Sequence, residues 1–445
     1  MSSSRSKPFR PLLTRLPPAP AYWVAYSGGI DSHVLLHLLA AQRAELPGPL
    51  GAVHVNHQLQ RQSGDWEIHC RAVCEELEVR FQALQVEAQP RRGESPEAAA
   101  RTARYQGLID WLPRAAVLVT AQHLEDQAET LLLQLFRGAG PRGLAAMPER
   151  ARLGRGWLVR PLLDVPRAAI RAYAEQQRLR WVEDPSNTEL RYDRNLLRQR
   201  VMPDLQQHWP GITRVLARAA AHQADQLELA DTLAAVDLGD CGLKDGRCLS
   251  LASLAELSPA RQRNLVRYWI AAQHLPLPPR VVLERIRAEI LPSRDDARPL
   301  VRWSGAEVRR FRDRLYVMAP LPDPDADACR RWDLTEPLEL ADAGGVLAAQ
   351  PVAAGGLRSP AQGGRIEVRL RRGGETLQPA GRAHRHALKK LFQEWDVPEW
   401  ERGRVPLLYI DDTLAAVAGL CVCEGFQARA PQPGLALHWS RAAQW

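Results

Sequence analysis

The residues best suited to chemistry stand in one short string, Tyr26-Ser27-Gly28-Gly29-Ile30-Asp31-Ser32. It follows an apolar run and opens a helical one. Gly28 and Gly29 let the backbone approach an anion closely and adopt positive φ. The Ser27 and Ser32 hydroxyls can donate hydrogen bonds, and the free amides of the helix start, that of Ile30 included, add positive partial charge. This is chemistry for a phosphate group. Asp31 is repelled by a phosphate unless a cation lies between them, and Mg²⁺, a hard ion that takes oxygen ligands, suits that place. The string is neither a Walker A loop nor a dinucleotide-binding turn, because it lacks Gly-Lys-Ser/Thr and Gly-x-Gly-x-x-Gly.

Further groups follow along the chain. In Gln122-His123-Leu124-Glu125-Asp126-Gln127-Ala128-Glu129-Thr130, Asp126 and Glu129 lie three apart and share a helix face. They can hold Mg²⁺ or bind a cationic amine; the plainer reading is favourable acidic charge in a helix's first turn. Glu97, Arg101 and Arg104 also share a helix face, either as a surface ion pair or as cations set to neutralise phosphates. His54 and His57 end a β-type run, where strand-end packing is the simplest reading. In Tyr192–Arg200, Arg194 and Arg198 fall near one helical stripe suited to phosphate contact or to solvent. Near the C-terminus Arg369, Arg371, Arg372, Arg382, Arg385, Lys389 and Lys390 cluster within 22 residues, against Glu375 alone. Contact with a nucleic-acid backbone there would be salt-dependent.

The elements that must position these groups alternate. β-type runs at Trp23–Tyr26, Ala52–Asn56, Phe81–Val86, Ala116–Thr120 and Trp157–Val159 are separated by helical stretches at Ser32–Ala44, Trp66–Leu77, Pro96–Trp111 and Asp126–Phe136. Strand–helix alternation predicts a Rossmann-like parallel sheet covered by helices, with ligands at the carboxyl ends of the strands. The fold class expected is therefore α/β in residues 21–210, after a basic tail at 1–20. Turn chemistry breaks the chain at Asp184–Thr188. A mostly helical domain is expected at 211–318, ending in a short hairpin at Leu300–Val317. A Pro- and Asp-rich linker is expected at 319–327, and a small mixed α/β or β-rich domain at 328–445 with one helix at Arg385–Trp395.

Composition narrows the class. The 445 residues are 45% hydrophobic and 25% charged, as in folded soluble proteins, which excludes a disordered or fibrous chain. No apolar run reaches the ~18–20 residues of a membrane span, and no secretory signal pattern opens the chain, so the expected location is the cytoplasm. The net charge of +8 favours an anionic partner. Lysine supplies only four of the 59 basic residues, which a GC-rich genome explains more simply than selection for arginine forks. The seven cysteines include no Cys-x-x-Cys, so neither a disulfide framework nor a four-cysteine zinc site is supported.

The Ser27–Ser32 string resembles the PP-loop of ATP pyrophosphatases. In order with the Glu97–Tyr105 helix, the Gln122–Leu144 block, Arg160-Pro161-Leu162-Leu163 and Asp184–Pro203, it resembles the tRNA(Ile)-lysidine synthase family. The resemblance resumes at Arg371–Glu375, Gly381-Arg382, Leu388–Phe392 and Val405–Leu408. It implies an enzyme that uses ATP to adenylate O2 of the wobble cytidine, C34, of a CAU-anticodon tRNA(Ile), after which the ε-amine of L-lysine attacks C2 and releases AMP. Ser27, Gly28, Gly29, Ile30, Asp31, Ser32, His54 and Arg101 would bind ATP; Asp31, with Mg²⁺, and Arg104 would act in catalysis. Asp126 and Glu129 would bind lysine and act on its amine. Arg194, Arg198, Arg371, Arg372, Arg382, Lys389 and Lys390 would contact tRNA. The resemblance also makes a homodimer reasonable. Glu125 departs from the family pattern, which has Asp there. The competing readings are a PP-loop tRNA thiolation enzyme, against which the missing Cys-x-x-Cys counts, and a tRNA-binding protein with an inactive nucleotide fold, against which the presence of Asp31 and Asp126 counts.

Overall fold

The computed structural model describes residues 9, 12–56, 63–87, 96–185, 189–243, 246–293, 297, 299–359, 364–429 and 432–441. His57, Ser186, Asn187, Thr188, the side chain of Glu97 and much of the 1–20 tail lie outside the described residues. The chain divides into two compact units, residues 1–230 and 231–445.

The first unit is built on a six-stranded sheet. Its elements in chain order are β1 (Tyr22–Ala25), α1 (Ile30–Ala41), β2 (Leu50–Asn56), α2 (Ser63–Glu76), β3 (Arg80–Gln85), α3 (Pro96–Trp111), β4 (Val117–Val119), α4 (Leu124–Phe136), α5 (Pro141–Leu144), β5 (Arg150–Leu153), β6 (Gly156–Val159) and α6 (Arg167–Gln176). The strand order is β3-β2-β1-β4-β6-β5. All neighbours are parallel except β5, which lies antiparallel on β6 at one edge. β5 is not among the β-type runs expected from the sequence, because its Arg-Ala-Arg-Leu has weak strand propensity and pairs through a tight turn with β6.

β1 and β4 are apolar because both sheet faces are covered, as expected for a parallel sheet. α1 is apolar nearly all round for the same reason, burying Val34, Leu35, Leu36, Leu38 and Leu39. Its core is shared with Val24, Val117, Val119, Val159 and Ile170. The strand order reverses between β1 and β4, because β2 follows β1 to one side and β4 returns on the other. Two chain reversals therefore meet at one crevice, β1 to α1 and β4 to α4.

Beyond α6 come α7 (Asp193–Leu196), a π-helical turn Leu197–Val201, α8 (Met202–His208) and α9 (Ile212–Cys241), within which the chain divides. Leu197 and Met202 pack on Ala128 and Leu132 of α4, which fixes this segment against the site helix.

The second unit holds more strand than the sequence suggested. Gly242–Leu243, Cys248–Ser250 and three strands within Leu300–Met318 form a five-stranded antiparallel sheet beside helices Pro259–Ala272 and Arg280–Arg285. Its core centres on Trp269, Leu249 and Leu315. The two short strands carry no periodicity long enough to read. Residues 329–441 form five- and four-stranded sheets with their own apolar clusters around Leu347, Leu408, Leu388 and Phe392. The helix expected at Arg385–Trp395 is observed at Leu388–Glu394. Among the described residues, no helix is long and apolar enough to cross a membrane.

Gly51 of β2 shows how tightly the sheet is covered: a Cβ there would lie 2.4 Å from the Trp23 ring. Gly51→Ala should therefore destabilise the first unit by about 1–3 kcal/mol, measured as a shift of its chemical denaturation midpoint followed by tryptophan fluorescence.

Candidate active site at the crevice between β1 and β4

The turn after β1 is braced by its own hydroxyls. Ser32 Oγ donates to the Gly29 carbonyl at 3.0 Å and accepts from the Ser27 amide at 3.2 Å, while the two serine hydroxyls lie 3.1 Å apart. Gly28 takes φ of +83°, with Cys70 Sγ 3.1 Å from where a Cβ would sit. The serines hold the loop's shape, a role their types alone do not reveal. His54 is 5% exposed, and its Nδ1 donates to the Tyr26 carbonyl at 2.9 Å. Burial lowers its pKa, so the ring is a neutral pin between β2 and the end of β1. Arg101 and Arg104 lie on the exposed side of α3, Arg101 stacked over the Tyr105 ring.

Four acidic residues and a histidine gather where α1 and α4 begin. His123, 1% exposed, precedes α4. Its Nδ1 lies 3.0 Å from Glu125, and its Nε2 lies 3.5 Å from Asp126 and 3.9 Å from Asp31. Burial works against a charged ring, but Glu125, Asp126 and Asp31 together raise its pKa above the ordinary histidine value. His123 thus joins the phosphate loop to α4 as a buried ring faced by three carboxylates. Its residue type alone assigns it no role; its place at a strand end before a helix is the available signal.

Glu125 explains its own departure from the family pattern. One oxygen meets both His123 Nδ1 and the backbone N–H of Arg167, at 2.9 Å, at the start of α6. Burial would raise this carboxyl, but the histidine and the amide hold it below the usual range. Glu125 thus links the start of α4 to the start of α6.

Asp126 and Glu129 are brought together as their spacing predicted, and the structure adds their partners. Arg198 places Nη2 2.8 Å from Asp126 Oδ1 and Nε 2.7 Å from Glu129 Oε1. Arg194 Nε lies 3.0 Å from Glu129 Oε2. Asp126 Oδ2 also accepts the His123 backbone N–H at 3.1 Å. Burial pushes the Asp126 carboxyl up; His123, Arg194 and Arg198 outweigh it and hold it below its ordinary value. An ionised carboxylate of this kind suits capture of a cation. Burial likewise opposes the Arg198 charge, but Glu129 and Asp126 raise its pKa. In this arrangement Arg194 and Arg198 are engaged with carboxylates.

Asp31 behaves differently. Its Oδ1 is buried without a hydrogen-bond partner, and burial raises its pKa more than His123 and Arg167 lower it. An acceptor in that condition is one a cation would complete. Among the described residues no three His, Cys, Asp or Glu side chains form a metal cage. Mg²⁺ commonly takes one or two carboxylates, with phosphates and waters supplying the rest, so Asp31 fits such an ion.

In the second unit, Arg371 lies 3.5 Å from Glu375, Arg372 3.1 Å from Asp327, and Arg382 2.8 Å from Glu394. Two of those acids lie outside the 22-residue window, so the cluster looked more strongly basic in sequence than it is in space. Lys389 and Lys390 are exposed on the Leu388–Glu394 helix.

If Glu125 ties α4 to α6 through His123 and Arg167, Glu125→Ala should leave both groups unsatisfied. A loss of about 1–3 kcal/mol is expected in denaturant unfolding of the first unit.

The chain is similar to known proteins over most of its length. Residues 4–205 match a PP-loop domain, 249–316 a TilS substrate binding domain and 366–439 a TilS substrate C-terminal domain. The tRNA(Ile)-lysidine synthase of Coxiella burnetii is 44% identical over 93% of this chain and 92% of its own. That of Methylococcus capsulatus is 44% identical over 96% and 97%. That of Yersinia pseudotuberculosis is 38% identical over 99% of each. A U34-tRNA thiolase of Methanococcus maripaludis aligns with a TM-score of 0.42 and 17% identity over 49% of this chain and 76% of that one, too distant to bear on function. With three domain matches in order and relatives alike over nearly their whole length, the chain belongs to the tRNA(Ile)-lysidine synthase family.

Proposed function

We propose that the protein joins L-lysine to C2 of the wobble cytidine of a CAU-anticodon tRNA(Ile), consuming ATP and releasing AMP and pyrophosphate through an adenylated cytidine. The observation that carries this reading is the pairing, at one crevice, of a glycine-rich phosphate turn with two carboxylates three residues apart on α4, both held by Arg198. The first is built for a triphosphate and the second for an amine.

On this reading the residues divide the work as follows. The amides and hydroxyls of Ser27–Ser32 cradle the ATP phosphates, with His54 fixing the adjoining strand ends. Asp31 holds Mg²⁺, which when bound offsets charge developing on the leaving pyrophosphate. Arg101 and Arg104 add positive charge beside it. Asp126 and Glu129 receive the lysine ammonium. An amine must be neutral to attack, so one of these carboxylates takes its proton as it closes on C2. The 249–316 and 366–439 regions hold the tRNA, with Arg371, Arg372, Arg382, Lys389 and Lys390 among its contacts. The finer domain limits at 210, 318 and 327, a cytoplasmic location and a homodimer complete the proposal.

Asp126→Asn keeps the side-chain shape and removes the charge. Incorporation of radiolabelled L-lysine into a CAU-anticodon tRNA(Ile) transcript should fall by about 100-fold or more, with tRNA binding within a few-fold of wild type. Unchanged turnover would refute the role of Asp126. Replacing Lys389 and Lys390 with Ala should weaken tRNA binding and lower the salt dependence of the affinity by roughly one unit of log–log slope per lost phosphate contact. ATP binding should be unaltered. Filter binding across a salt series reads both.

A further inference from the structure

We propose that Arg194 and Arg198 form a gate over the lysine-binding carboxylates, and that phosphate groups of the other substrates open it. The gate rests on the assignment of Asp126 and Glu129 to the lysine ammonium. All four carboxylate oxygens are taken. Asp126 Oδ1 meets Arg198, and Asp126 Oδ2 meets the His123 amide and ring. Glu129 Oε1 meets Arg198, and Glu129 Oε2 meets both arginines, at 3.0 and 2.9 Å. The Glu129 side chain is 1% exposed, whereas Arg194 and Arg198 are 26% and 27% exposed. An approaching ammonium, which can only donate, finds at Asp126, 13% exposed, and at Glu129 only oxygens that already face guanidinium or His123 donors.

The same exposure lets an anion reach the arginines from outside. Phosphate offers a guanidinium the fork geometry that a carboxylate offers, with more negative charge. Arg194 stands on the four-residue α7 and Arg198 on the π-helical turn that follows, an irregular backbone of the kind that recurs at functional sites. Leu197 between them is buried against α4, so the segment stays anchored while the long side chains exchange partners. Lysine alone must displace a guanidinium into solvent, and phosphate alone must strip the counter-ions from buried Glu129. Bound together, each ligand supplies the partner the other removes. The two affinities are then coupled, reciprocally, by the 5- to 150-fold typical of linked sites. Lysine is thereby admitted only when a substrate it must meet is present. A tRNA backbone phosphate and an ATP phosphate share the required chemistry.

Equilibrium dialysis of radiolabelled L-lysine against the full-length protein separates the cases. The four arms are protein alone, with α,β-methylene-ATP, with tRNA(Ile) transcript, and with both. The expected result is a lysine Kd at least ten-fold tighter in one or more phosphate arms, and the arm that tightens it identifies the source. In Arg198→Met, lysine should bind near the tight level without phosphate, so the ratio between arms approaches one; Arg198→Lys should retain an intermediate ratio. Equal wild-type affinities in all arms, with binding lost in Asp126→Asn, overturn the gate and leave the lysine assignment standing. Lysine binding unaffected by Asp126→Asn, or absent from every arm, overturns the assignment and the gate with it. The wild-type arms decide the matter even if Arg198→Met does not fold.

Discussion

Charge buried at the first turn of α4 is the constraint around which the first unit is arranged. His123 and Glu129 are nearly inaccessible and Asp126 is 13% exposed, and charge taken out of water is costly unless it finds a partner. Some partners lie within α4, where Glu125 and Asp126 flank His123, and the others come from elsewhere: Asp31 from the phosphate loop, the Arg167 amide to Glu125 from α6, and Arg194 and Arg198 from the segment after it. Replacing such a network with apolar side chains is often neutral or stabilising in other proteins. Its presence at the crevice where the strand order reverses is therefore better explained by chemistry than by stability.

The sheet serves that cluster by rigidity. β1 and β4 are neighbours whose carboxyl ends deliver the phosphate turn and His123 side by side. Apolar packing on both faces leaves them little freedom, as the contact of Gly51 with Trp23 illustrates. The carboxyls then diverge in character by surroundings alone. Asp31, with an unpartnered oxygen, is raised; Asp126, beside His123, Arg194 and Arg198, is lowered. Groups of one type thus become suited to a metal ion and to an amine.

Much of this was legible in the sequence where the signal is local. The phosphate turn, the strand–helix alternation and the i, i+3 placement of Asp126 and Glu129 are properties of short windows, and the observed elements start and end within a few residues of those expected. What stayed hidden is pairing at long separation. Arg194 and Arg198 looked like a stripe facing phosphate or solvent, because nothing in a helical window shows that Glu129 lies across from them. Glu125 read as an unexplained substitution until Arg167, 42 positions away, supplied the second contact. The C-terminal basic run was overstated because Asp327 and Glu394, which sit beside Arg372 and Arg382, fall outside the window. The short strands at Gly242–Leu243 and Cys248–Ser250 are too brief to carry a period and exist through their sheet neighbours.

The most direct test of the account is the chemical identity of the product at the wobble position. A CAU-anticodon tRNA(Ile) transcript would be incubated with the protein, ATP, Mg²⁺, L-lysine and a sulfur donor together, digested to nucleosides and analysed by mass spectrometry. The account predicts a cytidine heavier by one lysine residue, absent when ATP is withheld. A thiolated cytidine, or an unmodified one despite ATP consumption, would contradict it.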